Sequence, residues 1–129
     1  MNILIAEDDL ASRKYLTKVL EQYGQVDGVI DGIEAVDFFL EKIETGDIYD
    51  LVCLDIMMPR VDGYKALDAI RDIEEEFNVS KRCKIIMTSA LNEMDQREPS
   101  KEHKHDGYLM KPIDMSEMEA MLKKLELIQ

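Results

Sequence analysis

The stretch LVCLDIMMP, residues 51–59, joins a short apolar run to a single carboxylate. Leu51 to Leu54 are apolar, Asp55 follows them, and a second apolar segment comes directly afterwards. A parallel strand that is covered on both faces has a continuous apolar sequence of this kind. We therefore expect Asp55 to lie where a buried strand gives way to a loop.

The chain repeats this arrangement at three other places. Polar or charged residues follow three further apolar runs: Glu7-Asp8-Asp9 after residues 3–6, Ser89 after residues 85–88, and Lys111 after residues 108–110. In an open α/β sheet, the carboxyl ends of the strands form the crevice in which ligands bind. These side chains are therefore candidates for a common site.

Short apolar runs alternate with segments of helical period along the chain. The runs have the length and composition of strands and comprise residues 2–6, 26–30, 51–54, 84–88 and 108–110. Apolar residues at helical spacing mark residues 16–23, 33–43, 64–77 and 115–128. This alternation predicts an α/β fold with a doubly wound, five-stranded parallel sheet and helices on both faces. We find no linker, so residues 1–129 are expected to form one domain.

Composition narrows the classes of protein to consider. A chain of 129 residues with 46% hydrophobic content can bury the core of one ordinary domain. It shows neither a signal peptide nor an apolar stretch long enough for a bilayer, which predicts a cytoplasmic protein without membrane insertion. The net charge of −12 argues against direct nucleic-acid binding, because a phosphate backbone would be repelled. Cys53 and Cys83 lack metal-ligand and redox-pair spacing, so we expect buried free thiols.

The acidic residues after the first and third strands point to a metal. If the winding of the sheet reverses between these strands, Glu7, Asp8 and Asp55 meet at its carboxyl edge. Two carboxylates about 4 Å apart repel by about 4 kcal/mol at an effective dielectric of about 20, and a divalent cation would offset this cost. Oxygen ligands without nearby His or Cys favour Mg²⁺ over zinc or iron. Mg²⁺ commonly binds phosphate as well, so Lys111 and Ser89 become candidates for contacts with phosphoryl oxygens.

Several short motifs carry a likeness to a known family. They are Glu7-Asp8, Asp31-Gly32, Glu34-Ala35, Asp55, Met58-Pro59, Asp62-Gly63, Ser89-Ala90, Tyr108 and Lys111-Pro112. In this order, and on these elements, the sequence resembles the receiver domains of two-component response regulators over its whole length. The resemblance implies the flavodoxin-like strand order 2-1-3-4-5.

The resemblance also implies roles for the acidic residues. Asp55 would be the phosphoacceptor, Asp8 the main metal ligand, and Glu7 would act through metal-bound water. The backbone carbonyl of Met57 would complete the protein ligands of Mg²⁺. Aspartate is a feasible nucleophile, because the acyl phosphate that it forms is a recognised covalent intermediate.

Three further residues receive roles from the same likeness. Ser89 and Lys111 would hold the phosphoryl group, and a cis Lys111-Pro112 bond would aim the lysine at the site. Tyr108 occupies the position of a rotameric switch that responds to Ser89. The alternative for Tyr108 is simple packing at a sheet edge.

The expected function is that of a stand-alone receiver. It would accept a phosphoryl group on Asp55 from the phosphohistidine of a histidine kinase or histidine phosphotransfer protein, with Mg²⁺ required. It would catalyse its own phosphorylation and dephosphorylation, although it is primarily a signalling switch. We find no output domain, so the signal would pass to an unidentified downstream protein by binding or by phosphorelay.

Two other classes use a similar fold. A haloacid-dehalogenase-like phosphatase also has a nucleophilic Asp after a strand, but it requires a second Asp where this chain has Met57. A flavodoxin-like nucleotide binder requires a glycine- or hydroxyl-rich phosphate loop after the first strand. Glu7-Asp8-Asp9 has the wrong charge for such a loop.

One segment departs from the family pattern. Receivers carry an amphipathic helix between the fourth and fifth strands, but residues 95–107 contain no apolar side chain other than Pro99. Such a segment has nothing to bury, and a proline inside a helix costs about 3 kcal/mol. We therefore expect this fourth helix of the family to be short, displaced or mobile. The alternative is a static surface loop without a regulatory role.

Overall fold

Five parallel strands form one sheet in the order β2-β1-β3-β4-β5. The computed structural model describes residues 1–90 and 104–129, and the labels below number the elements within those ranges. The strands are β1 Asn2–Ala6, β2 Gln25–Val29, β3 Leu51–Asp55, β4 Lys84–Ser89 and β5 Gly107–Met110. The predicted fold class and strand order are confirmed, and the winding reverses between β1 and β3.

Four helices within the described residues cover the sheet. They are α1 Leu10–Leu20, α2 Gly32–Glu44, α3 Gly63–Glu76 and α4 Met115–Lys124. An aspartate side chain accepts a hydrogen bond at 2.7–3.0 Å from a backbone N–H three residues on at the start of each: Asp9, Asp31, Asp62 and Asp114. A carboxylate at this position satisfies an otherwise unpaired donor and complements the helix dipole. Asp9 thus caps α1, and Asp114 caps α4.

Two apolar layers hold the helices against the sheet. Leu4 and Leu54 point to one face, where Ala35 and Phe39 of α2 and Ile70 of α3 pack against them. The opposite face is covered by α1 and α4 through a second cluster: Ile3, Ile5, Leu16, Val19, Leu20, Cys53, Met118 and Leu122. The central strands β1, β3 and β4 therefore contribute side chains to both layers, which explains their apolar runs. Both cysteines are buried free thiols, as predicted.

The element boundaries differ slightly from the predicted ones. Asp55 and Ser89 are the last residues of β3 and β4 rather than the first residues of the loops. The sheet ladder extends this far because Asp55 pairs with Thr88 in register. The predicted weakness of a helix between the fourth and fifth strands concerns residues that lie mostly outside the described ranges. No helix in the described parts of the chain has the length and apolarity needed to cross a membrane.

A buried ion network joins α3 to the start of β4 and β5. The Arg71 guanidinium donates to Glu74 Oε1 at 2.7 Å, to Asp106 Oδ2 at 2.9 Å and to the carbonyl of Lys104 at 2.9 Å. Glu74 in turn accepts the backbone N–H of Cys83 at 2.7 Å. The side chains of Arg71 and Glu74 are only 6% and 3% exposed, so each charge depends on the other for compensation.

Removing the cation of this pair should destabilise the fold. We expect Arg71→Met, which preserves much of the side-chain volume, to lower the free energy of unfolding by about 3–5 kcal/mol, because Glu74 would be left as a buried unpaired charge. Arg82 also lies near Glu74 Oε1, at 3.6 Å, but its side chain is 63% exposed. Arg82→Met is the matched control and should cost less than about 1 kcal/mol. Urea denaturation measures both, and equal effects would contradict the buried-pair argument.

Candidate functional site

Three acidic residues converge where β1 and β3 end. Ala6 pairs with Leu54 in register, so Glu7 and Asp55 follow at the same level of the sheet. Each of Glu7, Asp8 and Asp55 offers a carboxylate oxygen, and these oxygens lie within 4.8 Å of one another. Glu7 and Asp55 are buried, whereas Asp8 is exposed. The convergence predicted from the sequence therefore occurs, with one carboxylate facing solvent and two facing inward.

Lys111 reaches this acidic cluster from the end of β5. Its Nζ donates to Asp55 Oδ2 at 2.9 Å and forms an ion pair with Glu7 Oε1. Its backbone N–H donates to the carbonyl of Ser89 at 2.7 Å, which ties the lysine to the end of β4. The Lys111-Pro112 peptide bond is cis, as the family resemblance implies. Burial lowers the pKa of Lys111, but its hydrogen bonds to Glu7 and Asp55 outweigh this effect and raise the pKa overall.

The electrostatics at Asp55 oppose ionisation. Burial, followed by the hydrogen bond and repulsion from Glu7, raises the pKa of Asp55 to about 7, and the contact with Lys111 acts in the opposite direction. One ammonium group thus faces three carboxylates, which leaves the cluster with excess negative charge. A divalent cation would relieve this excess.

The donor set fits Mg²⁺. All three side chains offer carboxylate oxygens, which are the hard ligands that Mg²⁺ prefers, and the group contains no His or Cys. The exposed side chain of Asp8 leaves room for the waters that Mg²⁺ usually keeps. Glu7, Asp8 and Asp55 are therefore the described residues that could hold the ion.

The loop after β3 begins at the cluster and is held at both ends. Ile56 donates its N–H to the carbonyl of Thr88, and Gly63 donates its N–H to the carbonyl of Ile56, each at 2.9 Å. A Cβ on Gly63 would lie 2.4 Å from the carbonyl oxygen of Asp55, so only glycine permits this approach. Met57 donates its N–H to Asp55 Oδ1 at 3.3 Å, which places its backbone beside the cluster, while its side chain is 50% exposed.

Sequence reasoning missed a cation in the same loop. Arg60 has a φ of 66°, a left-handed conformation that costs a non-glycine residue about 1–2 kcal/mol. Its guanidinium donates twice to Asp31 Oδ2, from Nε at 3.0 Å and from the terminal nitrogen at 2.5 Å. Asp31 is buried and also caps α2, so one carboxylate joins the helix start to the loop. Asp31 belonged to the quoted motifs, but no pattern in the sequence indicated Arg60 as its partner.

Ser89 and Tyr108 form a neighbouring pair. Ser89 is fully buried, and its Oγ lies 3.3 Å from the hydroxyl of Tyr108, with either group able to donate. The ring of Tyr108 packs edge-on against His105 and contacts the apolar layer on the α2–α3 face. The two residues predicted to form a switch are therefore in contact, and Ser89 is joined to Lys111 through its carbonyl.

Comparisons of sequence give one consistent result. The profile of the response regulator receiver domain family matches residues 3–123. Transcriptional regulatory protein CusR of Escherichia coli K12 is 33% identical over 126 residues, which cover 97% of this chain and 51% of that protein. Hybrid signal transduction histidine kinase L of Dictyostelium discoideum is 32% identical over 125 residues, which cover 95% of this chain and 7% of that protein. The chain thus spans about half the length of the first relative and a small part of the second.

A solved structure agrees with the sequence comparisons. The receiver domain of the sensor histidine kinase PA1611 from Pseudomonas aeruginosa PAO1 superimposes with a TM-score of 0.77 at 28% identity. The match covers 95% of this chain and 94% of that one, and that structure has a magnesium ion coordinated in its active site cleft. The profile match and the identity over nearly the whole chain establish that this chain belongs to the response regulator receiver domain family.

Proposed function

We propose that this receiver domain takes a phosphoryl group onto Asp55 from the phosphohistidine of a histidine kinase or a histidine phosphotransfer protein. The observation that carries the proposal is the convergence of Asp55 with Glu7, Asp8 and Lys111 at the carboxyl edge of the sheet. A nucleophilic carboxylate, oxygen ligands for a cation and a fixed ammonium group are the components that phosphoryl transfer requires.

The transfer is a displacement at phosphorus. An Asp55 carboxylate oxygen attacks the phosphorus, an O–P bond forms, and the N–P bond to the donor imidazole breaks. Lys111 already contacts Asp55 Oδ2, so a small rotation of its side chain would bring Nζ to a phosphoryl oxygen. Before the donor arrives, the ion pairs of Lys111 with Glu7 and Asp55 keep this ammonium group at the site.

The proposal assigns metal binding to the acidic cluster. Asp8 and Asp55 would bind Mg²⁺ directly, Glu7 would act through metal-bound water, and the carbonyl of Met57 would complete the protein ligands. The bound ion would neutralise charge on both the attacking carboxylate and the phosphoryl oxygens. The magnesium ion in the receiver domain of the Pseudomonas kinase supports this assignment.

Signal output would begin at Ser89. A phosphoryl group adds charge and strong acceptor oxygens beside Asp55, and the Ser89 hydroxyl would turn toward them. Its present neighbour, the Tyr108 hydroxyl, would then lose a partner at 3.3 Å and move into the vacated space. The altered surface would bind a downstream protein, or the phosphoryl group would be relayed onward.

The proposal also covers the extent of the domain, its location in the cell and the class of its partners. All described strands and helices belong to one sheet and its two covering layers, which supports a single domain over residues 1–129. A cytoplasmic location is part of the proposal, and the buried thiols of Cys53 and Cys83, which form no disulfide, are compatible with it. The net charge of −12 supports protein partners rather than direct contact with nucleic acid.

Labelling with a small phosphodonor tests the phosphoacceptor. Radiolabelled acetyl phosphate should label the wild-type protein only when Mg²⁺ is present, and Asp55→Asn should reduce labelling to background. Asp68→Asn is the matched control, because it makes the same chemical change at an exposed position on α3. Labelling of Asp55→Asn to the wild-type extent would refute the assignment.

The raised pKa of Asp55 should appear in the pH dependence of stability. The pKa of Asp55 in the folded protein is about 7, above the ordinary value of 3.8. At pH values between these two, the folded protein therefore binds more protons than the unfolded chain. The contribution of Asp55 to the free energy of unfolding is therefore largest below about pH 4 and falls as the pH rises to about 7. In chelator, Asp55→Asn should therefore gain stability relative to wild type across this range. Urea denaturation at several pH values measures the difference, and a constant difference would contradict the raised pKa.

Spectra of the phosphorylated protein test the switch. The amide signals of residues 107–110 should shift when acetyl phosphate and Mg²⁺ are added to the wild type. Ser89→Ala should reduce these shifts by at least about half, because the hydroxyl that senses the phosphoryl group is absent. Thr45→Ala, which removes a hydroxyl at the end of α2, is the control and should leave them unchanged. Undiminished shifts in Ser89→Ala would exclude this route.

A further inference from the structure

The Arg60–Asp31 pair connects two loops at the carboxyl edge of the sheet. Asp31 lies at the start of α2, and its Oδ1 is used for the cap on Glu34 N–H, at 2.9 Å. Its other oxygen, Oδ2, accepts both donors of Arg60. The Asp31 side chain is 4% exposed, whereas the Arg60 side chain is 58% exposed, so the contact is shielded from solvent on the Asp31 side alone.

The same loop is pressed against α2 at the next residue. A Cβ on Gly32 would lie 2.2 Å from the carbonyl oxygen of Val61, which shows how closely the two backbones approach. Val61 donates its N–H to the carbonyl of Pro59 at 2.8 Å, so the loop makes a tight turn around Arg60. The left-handed backbone of Arg60 belongs to this turn, and a strained residue persists only where surrounding contacts enforce it.

Met57 lies three residues before Arg60, in the same loop and ahead of this turn. Its backbone N–H contacts Asp55 Oδ1, so the path of the loop decides where the Met57 carbonyl points. We propose that Arg60 is a positioning residue, which through its ion pair with Asp31 holds the Met57 carbonyl in place for a divalent cation. The inference rests on the proposed metal site at Glu7, Asp8 and Asp55.

Charge and geometry predict opposite effects for the loss of Arg60. Removing a cation near an acidic cluster should by Coulomb attraction alone strengthen Mg²⁺ binding, or leave it unchanged at high salt. Loss of a positioning contact should weaken it, since partners that orient metal ligands commonly contribute about 10-fold or more to affinity. The sign of the change therefore separates the two explanations.

Isothermal titration calorimetry with MgCl₂ on the full chain provides the test. Arg60→Asn removes the ion pair while keeping a residue that tolerates a left-handed backbone. We expect its Mg²⁺ dissociation constant to rise by about 10-fold. Arg82→Asn makes the same charge change at a residue of similar exposure far from the cluster, and its dissociation constant should stay within about two-fold of wild type.

A second variant keeps the helix cap and removes the partner. Asp31→Ser retains a good capping residue but offers no carboxylate to Arg60, so it should weaken Mg²⁺ binding as well. The double variant Arg60→Asn with Asp31→Ser should bind no more weakly than the weaker single variant, because both remove one interaction. Additive losses would show that the two residues act separately and would overturn the proposal.

Two more measurements distinguish positioning from general destabilisation. At saturating Mg²⁺, the rate of labelling by acetyl phosphate in Arg60→Asn should return to within about two-fold of wild type, because the cation itself then orders the loop. In chelator, the amides of Met57 and Val61 should exchange faster in Arg60→Asn than in Arg82→Asn, while the core amides of β1 and β3 remain unchanged.

Each outcome decides a separate question. An Arg60→Asn dissociation constant equal to or below the wild-type value would overturn the positioning role. If wild type itself shows no Mg²⁺ binding at millimolar concentration, the proposed metal site is wrong. The hydrogen exchange result then decides whether the Arg60–Asp31 pair orders the loop. If Met57 and Val61 exchange no faster in Arg60→Asn than in Arg82→Asn, the Arg60–Asp31 pair does not order the loop either.

Discussion

Repulsion among Glu7, Asp8 and Asp55 is the constraint around which the carboxyl edge of the sheet is built. Parallel pairing of β1 with β3 brings these carboxylates together, and Lys111 compensates only part of their charge. The remaining charge makes the site ready for a cation, while burial, followed by the contact with Glu7, keeps the pKa of Asp55 high. Folding tolerates such a cluster because the apolar layers on both faces of the sheet stabilise the strands independently of it.

Much of the fold could be predicted from the sequence because its signals are local. Short runs rich in apolar residues mark the five strands, although Asp27 and Gly28 interrupt the run at β2. The aspartates at Asp9 and Asp114 mark helix starts, and both features depend on neighbouring residues alone. The site residues could be predicted because topology brings strand ends together without any knowledge of side-chain packing. Their proximity is observed, whereas their chemical roles stay predictions.

The two arginine contacts could not be predicted in the same way. Arg60 and Asp31 are 29 residues apart, and Arg71 and Asp106 are 35 residues apart, so neither pair has a spacing signature. For Arg71 a signal was available, because it lies four residues after Leu67 on the buried stripe of α3. A charge on such a stripe indicates a buried partner, but only the folded chain shows which one. For Arg60 no signal existed, since a loop residue with a positive φ looks like any exposed cation in sequence.

The four aspartate caps have a consequence for how this domain meets other molecules. Each helix starts just after a strand ends, so Asp9, Asp31, Asp62 and Asp114 lie at the same edge of the sheet as the acidic cluster. This edge therefore carries a concentrated share of the net charge of −12 and projects a negative field into solvent. The proposed donor, a partner that carries an anionic phosphohistidine, would have to cross that field. Lysine and arginine residues around the donor histidine would convert repulsion into attraction, which accelerates encounter at low ionic strength and makes the rate sensitive to salt.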